Sequence, residues 1–317
     1  MPLRIVVPPR VAHAPTRVDA RLRVDARGAL TLTLDAQERV VGVALGQGAF
    51  ATAYALGAEA LRLTHHHPPD VLRRELRGLG IMRACAGPGV LRVVRRGAFD
   101  GAWGPGVYAL LERFDVELFN ALVDIDALRG GNATTAPPPP DEGALRAFAL
   151  RLVSAVQRVH ERGFVHHDIK PSNVGLRGGL DDPVLFDFGF AARRRDDDAW
   201  LRGSVAYRAP EVFGATQGSP LPPDFDPTTK DVYALGRTLL STIYVVRRRP
   251  GGDWFLWDRE ERDVGRARAW YATFEACRLE RLKATTDRLE RVALTMVARD
   301  GRPSLAEVLT SVRDEEE

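Results

Sequence analysis

Within His166-His167-Asp168-Ile169-Lys170-Pro171-Ser172-Asn173, an acid, a lysine and a carboxamide stand at offsets 0, +2 and +5. A second acid opens Asp187-Phe188-Gly189, fourteen residues beyond Asn173, and Ala209-Pro210-Glu211 begins twenty residues beyond Gly189. Moving a phosphoryl group onto a hydroxyl needs a carboxylate to take or steer the proton, a cation beside the transferred phosphate and oxygen ligands for a hard metal ion. In this reading Asp168 is the base, Lys170 steadies the phosphate, and Asn173 and Asp187 hold Mg²⁺, with Mn²⁺ as the alternative. A solvated polar loop with accidental spacing would account for Asp168 to Asn173 alone, but not for the ordered clusters that follow.

Such residues need elements to aim them. Ala144 to Glu161 carries Leu145, Phe148, Leu152, Val156 and Val159, a 3.6-residue stripe that predicts a one-face-buried helix leading into the loop. Upstream, the alternation of Leu22 and Val24 with Leu30, Leu32 and Leu34 around Arg27-Gly28 predicts a β-hairpin. Val40–Leu45 reads as a strand running into Gly46-Gln47-Gly48-Ala49-Phe50, where small residues let backbone N–H groups approach phosphates. Further strands are expected at Thr52–Leu56, Glu59–Leu63, Val90–Arg95 and Val107–Leu111, with one helix over Asp70–Cys85 stopped by Gly87-Pro88-Gly89. Beyond Glu112 the pattern turns helical: Leu118–Leu128, then Thr229–Val246, Ala267–Leu282, Thr286–Val297 and Ser304–Val312. Residues 130–140, ending in four prolines, read as a flexible insert.

At 317 residues with 45% apolar and 27% charged side chains, the chain is long enough for one large domain or two lobes. A net charge of +3 spread along the sequence gives no reason to expect nucleic-acid or membrane partners. Lysine is confined to Lys170, Lys230 and Lys283 while arginine abounds, so each lysine position is informative. Two cysteines, Cys85 and Cys277, make neither a metal pattern nor a disulfide framework, which points to a reducing, intracellular compartment. The prolines of the N-terminus interrupt any secretory core, and no run approaches the ~18 apolar residues of a membrane span.

Taken in order, these clusters resemble the eukaryotic-type protein kinase superfamily, and Lys170 with Ser204 resembles its serine/threonine branch. The resemblance covers roughly residues 40–312. It implies a two-lobed α+β fold: residues 1–39 an N-terminal extension with a hairpin, 40–112 an N-lobe of five antiparallel strands and one helix, and 113–317 a helical C-lobe. It implies ATP as phosphoryl donor, Mg²⁺ as cofactor and protein serine or threonine as acceptor. Leu45, Gly46, Gln47, Gly48, Ala49, Phe50 and Ala53 would surround the nucleotide, with Glu112 and Phe114 in a hinge resembling Leu111-Glu112-Arg113-Phe114. Arg62 would face its phosphates with Glu75 as helix partner. The resemblance also implies an ion pair of Glu211 with Arg302, a supporting role for Asp231 beneath the catalytic loop, and an apolar column of Leu79, His166 and Phe188.

Four positions depart from the family pattern. Arg62 stands where a lysine grips the phosphates, and arginine is longer, planar and fork-shaped. Ala51 replaces a third glycine, at a cost of about 1 kcal/mol if the site requires positive φ. His167 stands where many members carry an arginine that reads activation-loop phosphate, which implies little dependence on loop phosphorylation. Gly175 replaces a large apolar floor beneath adenine, with Leu176 or Leu185 as substitutes. The Arg193–Asp198 charge run reads as self-neutralising, His65-His66-His67 as a loop, and Trp254, Phe255 and Trp257 as local core. The intact acids favour an enzyme; Arg62 favours a pseudokinase used as a scaffold or allosteric partner. A small-molecule kinase fits less well, because Ala209-Pro210-Glu211 resembles a peptide platform.

Overall fold

In the computed structural model the apolar alternation near the N-terminus becomes the hairpin of β1 (Val18–Val24) and β2 (Leu30–Leu34), followed by β3 (Gln37–Val40). The structure describes residues 18–25, 29–48, 51–101, 103–127, 140–196, 201–215, 224–247, 249 and 264–313. Ala49, Phe50, the hairpin turn at Arg27-Gly28, residues 1–17, most of the proline-rich insert, Asp197, Asp198 and the Trp254-Phe255-Trp257 cluster lie outside these. The described chain divides into two compact units, one reaching to Arg77 and including Val94–Glu112, the other Gly78–Val93 with the chain from Arg113.

The first unit continues through β4 (Ala44–Gln47), β5 (Thr52–Leu56) and β6 (Glu59–His65) to helix α1 (Pro69–Ala84), whose residues from Gly78 on count with the second unit, then β7 (Val93–Gly101) and β8 (Gly106–Glu112). Eight strands form one sheet in the order β3-β2-β1-β7-β8-β6-β5-β4, not the expected five. The difference is the hairpin: β1 pairs in parallel with β7, so the segment read as an extension is built into the sheet. Its period-2 face explains why. Ala20, Leu22, Leu30, Leu32 and Leu34 are buried with Leu61, Leu63, Phe99, Tyr108 and Leu110 in one core. The expected strand Val40–Leu45 is split, because Gly42 N–H donates to the Ala55 carbonyl at 2.7 Å and takes 41–43 out of regular pairing. Its α-carbon lies so close that an added Cβ would meet Ala55 O at 3.1 Å.

Helix α1 starts with Pro69 and Asp70 and ends with Arg83, the polarity that the helix dipole favours. Leu72, Glu75, Leu79 and Met82 share its buried face, which places a carboxylate among apolar neighbours and obliges it to find a partner. His65 stacks on Trp103 at 4.7 Å, and no group of three metal-binding side chains occurs among the described residues.

The second unit contains β9 (Val116–Glu117), α2 (Leu118–Ala127), α3 (Glu142–Glu161), β10 (Phe164–Val165), β11 (Val174–Arg177), β12 (Gly179–Leu185) and β13 (Ala192–Arg193). Helices α4 (Thr228–Val246), α5 (Val264–Ala284), α6 (Arg288–Met296) and α7 (Leu305–Arg313) complete it. Asp141 caps α3 by accepting the Ala144 N–H at 2.7 Å, and the predicted stripe Leu145, Phe148, Leu152, Val156 and Val159 is buried. Helix α4 is buried from Lys230 to Val246, so it forms the floor on which the loops rest. No helix among the described residues is long and apolar enough to cross a membrane.

If the hairpin belongs to the core of the first unit, Leu32→Ala should destabilise it by about 3 kcal/mol, read from denaturant unfolding. A change below about 0.5 kcal/mol, the size expected of an exposed site, would show the hairpin to be an appendage.

Candidate active site

Asn173 and Asp187 are fourteen residues apart, yet the hairpin of β11 and β12 makes them neighbours. The strands pair Val174 with Leu185, Gly178 turns the chain at φ +71°, and beyond the last pair the Phe186 N–H donates to the Asn173 carbonyl at 3.0 Å. Asp187 follows at once, in the left-handed region (φ 58°), where aspartate is tolerated better than most side chains. Its Oδ1 accepts the Gly189 N–H at 3.2 Å.

The loop between β10 and β11 holds Asp168, Lys170 and Asn173. Pro171 starts a 3-10 turn that ends at Asn173 and folds the amide back on the acid. Asn173 Nδ2 donates to the Asp168 carbonyl at 2.7 Å and to Oδ2 at 3.0 Å, so its own Oδ1 takes no part in those bonds. Lys170 Nζ lies 3.0 Å from Asp168 Oδ2 and donates to Ser204 Oγ at 2.6 Å, while the Ser204 N–H donates to Asp168 Oδ1 at 2.8 Å. Burial alone would raise the Asp168 pKa. The Lys170 ammonium and the Ser204 bonds outweigh it and hold the carboxyl below its usual value. A buried acid kept ionised at neutral pH is an acceptor for a hydroxyl proton.

The loop is held from α4. Asp231 is 1% exposed and accepts the N–H groups of His166 at 2.7 Å and His167 at 2.9 Å. Its Oδ2 also accepts from His160 Nε2 at 3.0 Å, so His160 is a ligand of this acid and not only helix-end packing. His167 adopts φ +67°, which turns two successive N–H groups toward one carboxylate. His166 Nδ1 accepts the Asp168 N–H at 3.3 Å, so its proton sits on Nε2 and is donated to the Phe186 carbonyl at 3.2 Å. Its ring meets Phe188 edge-on at 4.6 Å, and Leu79 and Phe188 are both buried. Gly78 packs so tightly on this turn that a Cβ would lie 2.3 Å from the Phe188 carbonyl.

In the first unit the register Gly46↔Ala53↔Arg62↔Ala109 lines up the glycine segment, Ala53 and Arg62 across neighbouring strands. Arg62 forms an ion pair with Glu75, the acid stranded on the buried face of α1. Leu45 is exposed, and Gly46, Gln47 and Gly48 have open surroundings, a Cβ on Gly46 meeting nothing within 4 Å. Ala51 has no positive φ, so the cost considered for it does not arise. Glu112 ends β8 opposite Glu59. Phe114 lies over Gly175, where a Cβ would be 2.5 Å from its ring, and stacks on Phe186 at 4.9 Å. The space left by Gly175 is therefore filled by Phe114, not by Leu176 or Leu185, which belong to the core behind it.

The segment carrying Ala209-Pro210-Glu211 is anchored by charge. Arg302 Nη1 and Nη2 donate to Glu211 at 2.5 and 2.7 Å in a two-pronged pair. Arg194 pairs with Asp226, so the charge run is not neutralised only within itself. Arg237 was missed by sequence reading. It is fully buried, bonds the Ala206 carbonyl, and lies 4.9 Å from the Tyr207 ring and 4.2 Å from Trp270. A lone cation inside Ala234-Leu235-Gly236-Arg237-Thr238-Leu239-Leu240 was the available signal.

Burial, followed by the Lys230 ammonium, pushes His167 down from 6.5 to about 3. Unfolding restores the ordinary value, so between those values the unfolded chain binds the extra proton and stability falls as pH falls. Asp231, lowered overall because the His160 bond and neighbouring imidazoles outweigh burial, adds to the loss at still lower pH, below 3.8. His167→Asn tolerates the same backbone and should lose less stability than wild type between pH 6.5 and about 4. Urea titrations measure this, and parallel slopes for the two proteins would contradict it.

Residues 115–249 match the protein kinase domain family. The chain is 36% identical over 101 residues to the serine/threonine-protein kinase mos of Patiria pectinifera, covering 29% of this chain and 26% of that protein. It is 31% identical over 183 residues to the serine/threonine-protein kinase PknJ of Mycobacterium bovis, covering 55% and 27%. It is 26% identical over 211 residues to the mitogen-activated protein kinase kinase kinase 17 of Arabidopsis thaliana, covering 64% and 50%. The chain thus matches half or less of the length of these relatives. With Asp168, Asn173 and Asp187 gathered around one hairpin and these matches beside them, the chain is a member of the eukaryotic-type protein kinase superfamily, on its serine/threonine branch.

Proposed function

We propose that this protein transfers the γ-phosphoryl group of ATP to serine or threonine hydroxyls of protein substrates. The observation that carries the reading is Asp168: a buried carboxylate kept ionised and aimed by Lys170, Asn173 and the Ser204 N–H. In this reading Asp168 orients the acceptor hydroxyl and takes its proton. Lys170, beside both Asp168 and Ser204, balances charge on the group in transit. The Gly46–Gly48 backbone, open on its outer side, is the phosphate-facing turn, with Arg62 on the same strand row.

The donor set suits Mg²⁺. Asn173 Oδ1 and the Asp187 carboxylate are hard oxygen ligands, and an ion of that kind fills its remaining positions with water and phosphate oxygens. Bound there, Mg²⁺ would neutralise charge developing on the phosphate oxygens. The clamp of Glu211 by Arg302 favours a peptide over a small-molecule acceptor, because it fixes the platform segment after Ser204. The three relatives are named as protein kinases, two of them as serine/threonine-protein kinases, consistent with a protein acceptor.

One observation favours a second reading, a pseudokinase acting as a scaffold or allosteric partner. The Arg62 guanidinium is engaged by Glu75, and its fork presents charge to a phosphate differently from a lysine ammonium. Phosphate transfer from labelled ATP with Mg²⁺ separates the two. Asp168→Asn should lower transfer at least a hundredfold, equivalent to about 3 kcal/mol of barrier, whereas Arg62→Lys should retain or raise it. Wild-type transfer indistinguishable from that of Asp168→Asn would establish the scaffold reading.

A further inference from the structure

We propose that Lys230 is a positioning residue that ties the segment bearing Ser204 to the loop bearing Asp168, setting the acid without covalent modification of that segment. The inference rests on the kinase reading above for its catalytic consequence, but the tie itself is a matter of contacts within one unit. Lys230 directly precedes Asp231 in the first turn of α4 and is only 4% exposed. Its Nζ donates to His167 Nδ1 at 3.2 Å and to the Arg202 carbonyl at 3.3 Å. His167 adjoins Asp168, and Arg202 stands two residues before Ser204, so one ammonium bridges both sides of the Ser204–Asp168 bond.

Neighbouring geometry makes this bridge consequential. Gly203 runs so close to the loop that a Cβ there would lie 2.0 Å from the His167 carbonyl. Ser204 then gives its N–H to Asp168 and receives Lys170 at its hydroxyl. Two of the chain's three lysines therefore grip the same short stretch, in a protein that uses arginine at 42 other basic positions (45 less 3). A compact ammonium with tetrahedrally spread donors can reach a ring nitrogen and a carbonyl in different directions, whereas a planar fork suits parallel acceptors.

The sequence from Asp187 to Gly203 contains no serine, threonine or tyrosine, so it offers no hydroxyl to phosphorylate. The first hydroxyl after that stretch is Ser204, whose Oγ already accepts from Lys170, so the hold on this segment comes from the two lysines and not from an added anion. The groups around Lys230 are mixed: Asp231, Glu211 and Asp168 favour its charge, and Arg208 opposes it, with the neutral ring of His167 in contact. Burial dominates and pulls the lysine down to about 7. Keeping a cation in that position therefore works against folding, which is the pattern expected of a residue retained for its task.

This cost also separates positioning from plain structural support. Lys230→Met keeps the length of the side chain and relieves the buried charge. On protein verified as unmodified by intact mass, the variant should melt no lower than wild type. Its backbone amides at 202–206 should exchange with deuterium at least tenfold faster, and its kcat for phosphate transfer should fall at least tenfold with KM for ATP within twofold. Unchanged exchange at 202–206 would overturn the proposal, as would a lowered melting temperature with exchange raised throughout the unit. Faster exchange confined to 202–206, in a protein whose wild type transfers no phosphate, would uphold the tie while rejecting the kinase reading.

Discussion

A single buried carboxylate governs the loop that carries Asp168. Asp231 accepts two successive backbone N–H groups and an imidazole N–H, and it does so at the first turn of α4, where the helix dipole favours an anion. Taking such a charge out of water costs several kcal/mol, and only a full set of donors offsets it. The same bonds leave His166 and His167 no freedom to turn, so the direction of Asp168 is inherited from a residue more than sixty positions away. Without that acceptor two buried N–H groups would be orphaned and the loop would have no reason to keep its left-handed step at His167.

From that anchor the site is assembled by close backbone contacts more than by side-chain pairs. The β11/β12 hairpin brings Asn173 next to Asp187, and the turn at Phe188 is pressed against Gly78. Gly203 is pressed against the loop itself. At Gly78 and Gly203 any larger residue would collide with a carbonyl, and this is a stronger constraint than a conformational preference. The side chains that carry charge then fill the remaining valences: Lys170 to Ser204, Asn173 to Asp168, and Lys230 to His167 and Arg202.

Cations in unusual places distinguish this chain. Arg62 stands where the family pattern has lysine, and it answers the carboxylate that α1 carries on its buried face. Arg237 is enclosed between the rings of Tyr207 and Trp270, with Nε and Nη2 lacking hydrogen-bond partners among the described residues. Its aromatic faces partly replace the missing acceptors. Arg237 thus holds, through the Ala206 carbonyl, the segment that the family resemblance assigns to peptide, while Arg62 ties β6 to α1.

Much of this was legible in the sequence because it depends on local order. Spacing alone singled out Asp168, Lys170, Asn173 and Asp187, which the loop and the β11/β12 hairpin bring close in the fold, and periodicity located α1, α3 and α4 to within a few residues. The family resemblance pointed to the pairings of Arg62 with Glu75 and Glu211 with Arg302, and to Asp231 as the support of the loop. Other features depend on which distant surfaces meet, and no local pattern encodes that. The hairpin of β1 and β2 alternates like any half-buried strand pair, but only its parallel register with β7 makes it part of an eight-stranded sheet. Gly175 reads as a loss until Phe114 is seen lying over it, and Lys230 reads as one scarce lysine until its ammonium is found between two loops. Sequence by itself determined which chemical groups are present and how they repeat along the chain. Tertiary structure decided which of them are buried together, because desolvation and hydrogen-bond partnership exist only once separate segments are packed against each other.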